Sequence, residues 1–167
     1  MHVKPSYALT LAASLALSML AGCSHDYIPN TQVEDSDFNR QVIAYCEDYR
    51  HAVEHRNTEL LMKMADPKYY EDGGTVDTSD DLDLDGLKKY LDTQFRKTTQ
   101  IRYEIFYRDI SIGRSNQVFV DYTYSASYKV PLPDAQKPDD AVWRRRVADN
   151  RLELVRDGDR FRILSGM

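Results

Sequence analysis

The sequence predicts an α+β domain, with three helices leading into a mostly antiparallel sheet of four to five strands. Three observations carry that expectation. Apolar residues recur at helical spacing as far as about residue 98, and from Ile101 onward the pattern alternates with a period of two. "Asp157-Gly158" then marks a tight hairpin between the last two strand-like stretches. Helices segregated to one face of an antiparallel sheet form one of the few stable layer arrangements.

The chain opens with a polar, basic start at His2 and Lys4, followed by the apolar run "ALTLAASLALSML" from Ala8 to Leu20. A membrane-spanning helix needs about 20 apolar residues, and this run is shorter. With small residues Ala21 and Gly22 after it, the segment reads as a secretory signal. "Leu20-Ala21-Gly22-Cys23" resembles the lipobox of bacterial lipoproteins. The resemblance implies cleavage before Cys23, whose thiol becomes the lipid-bearing group of the new N-terminus. It further implies residence at the periplasmic face of the outer membrane, since Ser24 stands where an Asp would favour the inner membrane. The chain then divides into a signal peptide (1–22), a lipidated tether (23–35) and a domain (36–167).

The net charge is −5, and loss of residues 1–22 removes one lysine and no acid, leaving −6. A mildly acidic chain argues against nucleic-acid binding and against a polybasic membrane clamp. With Cys23 lipidated, Cys46 has no partner for an internal disulfide and is expected to pack as a small buried hydrophobe.

Ser36 or Asp35 can cap the first helix, along which Phe38, Val42, Tyr45, Cys46, Tyr49 and Val53 form one stripe. Asn57 caps a short second helix carrying Leu60, Leu61 and Met64, which "Asp66-Pro67" stops. "KYYEDGGTVDTSDD" is an irregular acidic segment. A third helix is expected from about Leu84 to Thr98, with Leu84, Leu87, Leu91 and Phe95 on one side.

"IRYEIFYRDISI" and "QVFVDYTYSASYKV" are strand-like and joined by "GRSN". In the second of them Val118, Val120, Tyr122, Tyr124, Ala126, Tyr128 and Val130 share one face. Apart from Phe119 the other face is polar, so one side is expected to be buried and the other wet. A Pro-rich loop leads to "AVWRRRVADNRLELVR", where the apolar parity slips between Val147 and Leu152. That slip predicts a bulge near Ala148 to Asn150.

The order of elements, "LDGLKKYLDTQF" as the third helix and "NRLELVRDGDRFRILSGM" as a closing hairpin resemble the nuclear transport factor 2-like (SnoaL-like) superfamily over about residues 36 to 165. The resemblance implies a cystatin-like cone, a curved sheet wrapped around helices. It also implies that an enzyme on this scaffold would place an Asp, His or Tyr inside the cone, and that related domains often pair through the open sheet face.

Two short motifs point elsewhere. Asp81, Asp83, Asp85 and Gly86, with Asp92 in twelfth place, reproduce the spacing of a calcium loop. Lys88 occupies a place where such loops want an apolar residue, and Asp83 or Asp85 serves more simply as a helix cap, so no metal is expected there. "His51-Ala52-Val53-Glu54-His55" matches H-x-x-E-H, a zinc-peptidase motif that needs a distant further ligand. At the end of the first helix it reads as a solvated helix terminus, and again no metal is expected.

The alternation sends Asp121 and Glu104 away from the predicted interior, and no histidine follows His55. The interior therefore lacks a base poised near neutrality. Tyrosines remain, with unperturbed pKa about 10, better suited to donating hydrogen bonds. The candidate pocket or rim residues are Tyr45, Tyr49, Tyr103, Tyr107, Tyr122, Tyr124 and Arg144. No catalytic residue and no cofactor is expected.

The function that follows is a non-catalytic module binding a small apolar ligand or another envelope protein. Two alternatives stand: a small isomerase or hydrolase using the cone, or a structural subunit of a secretion or cell-wall complex. A homodimer is compatible with each.

Overall fold

The computed structural model describes residues 26–167 apart from 75, 77, 138, 139 and 159. The expected signal peptide and Cys23 lie outside the described residues. Helix α1 (Asp37–Glu54) starts where the Ser36 hydroxyl accepts from Asn39 N. Helix α2 (Thr58–Met64) is capped by Asn57. Strand β1 (Tyr70–Glu71), inside the segment expected to be irregular, pairs with β2 (Leu82–Asp83), just after it, as a small ribbon. Helix α3 (Leu84–Arg96) starts at Asp83, whose carboxylate accepts from Gly86 N at 2.7 Å. In each case a short polar side chain satisfies an orphan N–H of the first turn.

The main sheet contains β3 (Gln100–Ile112), β4 (Gln117–Pro131), β5 (Ala141–Asp157) and β6 (Arg160–Ser165), in that order and antiparallel throughout. Gly158, at φ +62°, turns β5 into β6, a conformation that carries no Cβ penalty in glycine. The helices lie on one face of the sheet. Val42, Cys46, Tyr49 and Ala52 of α1, Leu61 of α2 and Leu87 and Leu91 of α3 are buried with Val118, Val120, Tyr122, Leu152, Leu154 and Ile163 from the sheet. Fully burying one such side chain contributes about 1.5–3 kcal/mol. Cys46 is wholly buried, and burial pushes its thiol well above the usual range.

Two expectations are corrected. No bulge occurs at Ala148 to Asn150: β4 and β5 pair without interruption from Gln117–Val155 to Pro131–Ala141. The register shifts instead at Tyr107/Asp109 in β3 and at Glu153/Leu154 where β5 meets β6. The slip in parity comes from placing apolar side chains outside and charged ones inside along one regular strand. Trp143 and Val147 are exposed on the outer face, while Arg144, Arg146 and Asn150 take positions on the helix-covered side.

The second correction concerns residues 26–35, expected to belong to the tether. They form a tight hairpin with Tyr27 bridged to Glu34 and Ile28 N donating to Val33 O. Gln32 N donates to Tyr107 O at 3.0 Å, and Val33 is buried in the core. A single valine in a polar stretch gave no periodic signal.

Candidate functional site

The inner face of the sheet continues past the last turn of α1, and a cavity opens there between α3 and the strands. Its volume is about 290 Å³. Val53 of α1 and Gln94 and Phe95 of α3 form one wall, with Tyr90 and Thr98 at the edge. Ile101 and Tyr103 of β3 and Tyr124, Ala126 and Tyr128 of β4 form the floor, and Arg146 of β5 closes the far side. The strand residues share this face because alternate side chains of paired strands point the same way: Ile101 stands opposite Tyr128, Tyr103 opposite Ala126, and Ala126 opposite Arg146.

The tyrosines behind this floor form a packed layer. Tyr49 meets Tyr103 edge-on with ring centroids 6.3 Å apart, and Tyr103 lies 5.5 Å from Tyr124. The hydroxyls of Tyr49, Tyr103 and Tyr122 lie within hydrogen-bonding reach of one another. Burial raises all three above the ordinary phenol value, Tyr49 and Tyr122 well above it. Asn150 Nδ2 donates to Tyr122 Oη at 3.0 Å and to Gly166 O at 3.0 Å, tying this layer to the last residues of the chain.

Of the seven sequence candidates, Tyr103 and Tyr124 line the cavity. Tyr49 and Tyr122 lie behind it. Tyr107 is elsewhere in the core, its hydroxyl donating to Glu47 Oε1 at 2.8 Å. Tyr45 faces a separate, more open hollow beside Phe161 and donates to Met64 O at 3.1 Å. Arg144 stands opposite Tyr128, beyond Arg146 on the same side of β5. Arg146, Tyr90 and Tyr128 line the cavity beside Tyr103 and Tyr124, and the alternation that selected Tyr124 also selects Tyr128.

Acidic groups from α1 meet β3 close by but outside the lining. Glu54 Oε1 accepts from Tyr103 N at 2.9 Å, and its Oε2 accepts from Arg50 Nη1 at 2.8 Å. Arg50 Nε also donates to Glu47 Oε2 at 2.7 Å. Both carboxylates are therefore committed to joining helix and sheet. The lining holds no carboxylate and no imidazole among the described residues.

The two metal-like motifs resolve into local pairings. His55 Nδ1 lies 2.8 Å from His51 O, and Glu54 between them turns inward to Tyr103 and Arg50. Asp83 is spent on the α3 cap, Asp92 accepts from Lys88 Nζ at 2.8 Å, and Asp81 accepts from the Tyr70 hydroxyl.

No family model matches the chain, and no curated protein matches it in sequence. Solved structures do match in fold. The Kfla4162 protein of Kribbella flavida superposes with a TM-score of 0.62 at 17% identity, covering 79% of this chain and 90% of that one. A Xanthomonas campestris protein, described as a candidate calcium/calmodulin-dependent protein kinase II association domain, gives 0.60 at 12% identity, with 85% and 90% covered. A candidate dehydratase of the NTF2-like family from Streptomyces avermitilis gives 0.58 at 12% identity, with 77% and 92% covered. The domain has the NTF2-like cone fold, as the order of its elements suggested.

Proposed function

We propose that the chain is a lipoprotein anchored through Cys23 at the periplasmic face of the outer membrane, and that its cone is a non-catalytic module binding a small, mainly apolar ligand. The observation that carries this reading is the cavity itself. It is open at one end, walled by aromatic and aliphatic side chains, and furnished with a few polar groups, the usual make-up of a small-molecule site. The Tyr103 phenol, raised by burial, is a poor base near neutrality, which supports binding over proton transfer. The outer face of the sheet supports the same choice over assembly. Phe106, Trp143 and Val147 are exposed there, but Thr123, Ser125, Ser127 and Arg145 lie between them, so no broad apolar patch forms.

The other readings keep specific support. The Xanthomonas association domain favours an assembly role, with a second copy or another envelope protein as partner. The Streptomyces dehydratase favours a small isomerase or hydrolase, in which Tyr103 or Tyr124 would have to move the proton.

Anchoring would also orient the cone. Ser24 and His25 alone separate Cys23 from Asp26, and the hairpin that follows docks beside the start of α1. The cavity opens beside Val53, at the other end of that 18-residue helix. At a rise of about 1.5 Å per residue, the mouth stands on the order of 20 Å from the anchored end, facing the periplasm.

Two measurements test the proposal. Metabolic labelling with palmitate should mark the wild-type chain in outer-membrane fractions and leave Cys23→Ser unmarked; label on the serine variant refutes the anchor. Native mass spectrometry of the solubilised chain should find it alone with a small molecule. A stoichiometric second protein would refute the ligand reading in favour of assembly.

A further inference from the structure

We infer that the ligand of this cavity is an amphipathic organic anion, a carboxylate with a compact aryl or short acyl body, whose charged head is held by Arg146. The inference rests on the ligand-binding reading above and specifies its chemical class.

Arg146 stands on the inner face of β5, the face on which the same strand further on carries the buried Leu152 and Leu154. Its cross-strand neighbour is Ala126, the smallest side chain of the floor, so nothing bulky fills the space in front of it. Arg146 is exposed, and no acid pairs with it among the described residues. Two acids of the sheet are paired on the outer face, Asp121 with Arg151 and Asp149 with Arg108. Arg145 donates to Ser125 Oγ at 3.2 Å on that same outer face. Arg144 and Arg146 take part in no ion pair among the described residues.

The surroundings reinforce one sign of charge. Arg144 follows Arg146 on the inner side, and Arg56 Nη1 donates to Thr98 O at 2.6 Å beside the mouth. Glu54, which accepts from Tyr103 N next to the lining, is paired with Arg50. In a chain of net charge −5 this is a local positive mouth on an acidic protein. An arginine fork suits a planar carboxylate, which it can hold with two parallel hydrogen bonds. The volume behind it would hold about ten waters at ~30 Å³ each, which suits a body no larger than a two-ring aromatic.

The test uses full-length protein in a nonionic detergent, titrated calorimetrically with naphthalene-2-carboxylate and with naphthalene-2-methanol, its neutral counterpart. Wild type and Arg146→Gln are compared in the same micelles, so partitioning of probe into detergent cancels. The carboxylate should bind wild type about tenfold more tightly than the alcohol, the worth of one charge-assisted contact at a half-open site. In Arg146→Gln the preference should vanish while affinity for the alcohol stays within twofold. Ala126→Leu, which adds bulk to the floor, should weaken both probes. The preference should also shrink as salt is raised. Equal affinity of wild type for the two probes, or a preference that survives Arg146→Gln, overturns the anionic class and leaves the pocket reading standing. Failure of both probes to bind overturns the two together.

Discussion

The hydrogen bond between Asn150 and Tyr122 offers a sharp check on the layer behind the cavity, because its worth can be isolated. Tyr122 is fully buried, and its hydroxyl accepts from Asn150 Nδ2 at 3.0 Å; the same amide serves Gly166 O. Tyr122→Phe removes the acceptor for Asn150, which stays bonded to Gly166, together with the hydroxyl that faces Tyr49 and Tyr103, so it should destabilise by about 1–2 kcal/mol. Asn150→Ala removes two bonds and strands the Gly166 carbonyl, for about 2–3 kcal/mol. The double variant should cost less than the two together by about 1 kcal/mol, the shared bond being lost only once. Urea unfolding at pH 7 and 25 °C, followed by Trp143 fluorescence and circular dichroism, measures all four corners of this cycle. Additivity within about 0.3 kcal/mol would refute the bond. Because the hydroxyl sits behind the floor, Tyr122→Phe should leave affinity for the naphthalene probes within twofold.

Gly166→Ala tests the closure of the same end. Gly166 has φ +93°, and a Cβ there would lie 1.9 Å from Arg151 O, so strain and displacement together should cost about 3 kcal/mol or more in the same assay. Thiol titration of the envelope-extracted protein should find no reactive group in the native state and one on denaturation, because Cys46 is buried; a native thiol would mean that Cys23 is free. The Asp121 carboxyl is held below its usual range by its hydrogen bonds to Arg151. Its contribution is therefore present above the unfolded value of about 4 and lost as pH falls through the depressed folded value. Asp121→Asn should cost about 0.5–1 kcal/mol near neutrality, with the gap from wild type closing below about pH 4. A gap that widens in acid would contradict the pairing.

What could be read from the sequence was local. The caps at Ser36, Asn57 and Asp83 are short polar side chains just ahead of apolar periodicity, and each accepts from the first turn as expected. The change of period at residue 99 and the Asp157-Gly158 turn located the sheet for the same reason. Placement across elements was harder. Tyr45 and Tyr49 sit one turn apart on the same stripe of α1, yet one looks toward Phe161 and the other toward the layer behind the cavity. Spacing along a helix gives a shared face, but not which end of the sheet that face meets. The docked hairpin at 27–34 was invisible because Val33 finds its apolar partners far away in the chain.

The misread bulge bears most directly on function. A run in which apolar parity inverts can mean an extra residue, or it can mean a regular strand whose two ends meet different surroundings. In β5 the second holds. Leu152 and Leu154 fix the register, since sliding by one residue would move both out of the core at about 2–3 kcal/mol each. With the register fixed, Arg144 and Arg146 have no way to exchange places with Trp143 and Val147. Trp143 is partly shielded outside by the Arg102 guanidinium, 4.7 Å from its ring centroid. Arg146 is left facing the cavity, with no acid paired to it among the described residues. Core packing thus imposes a cation on an otherwise aromatic mouth, and the group that best completes it is an anion attached to something the tyrosines can cover.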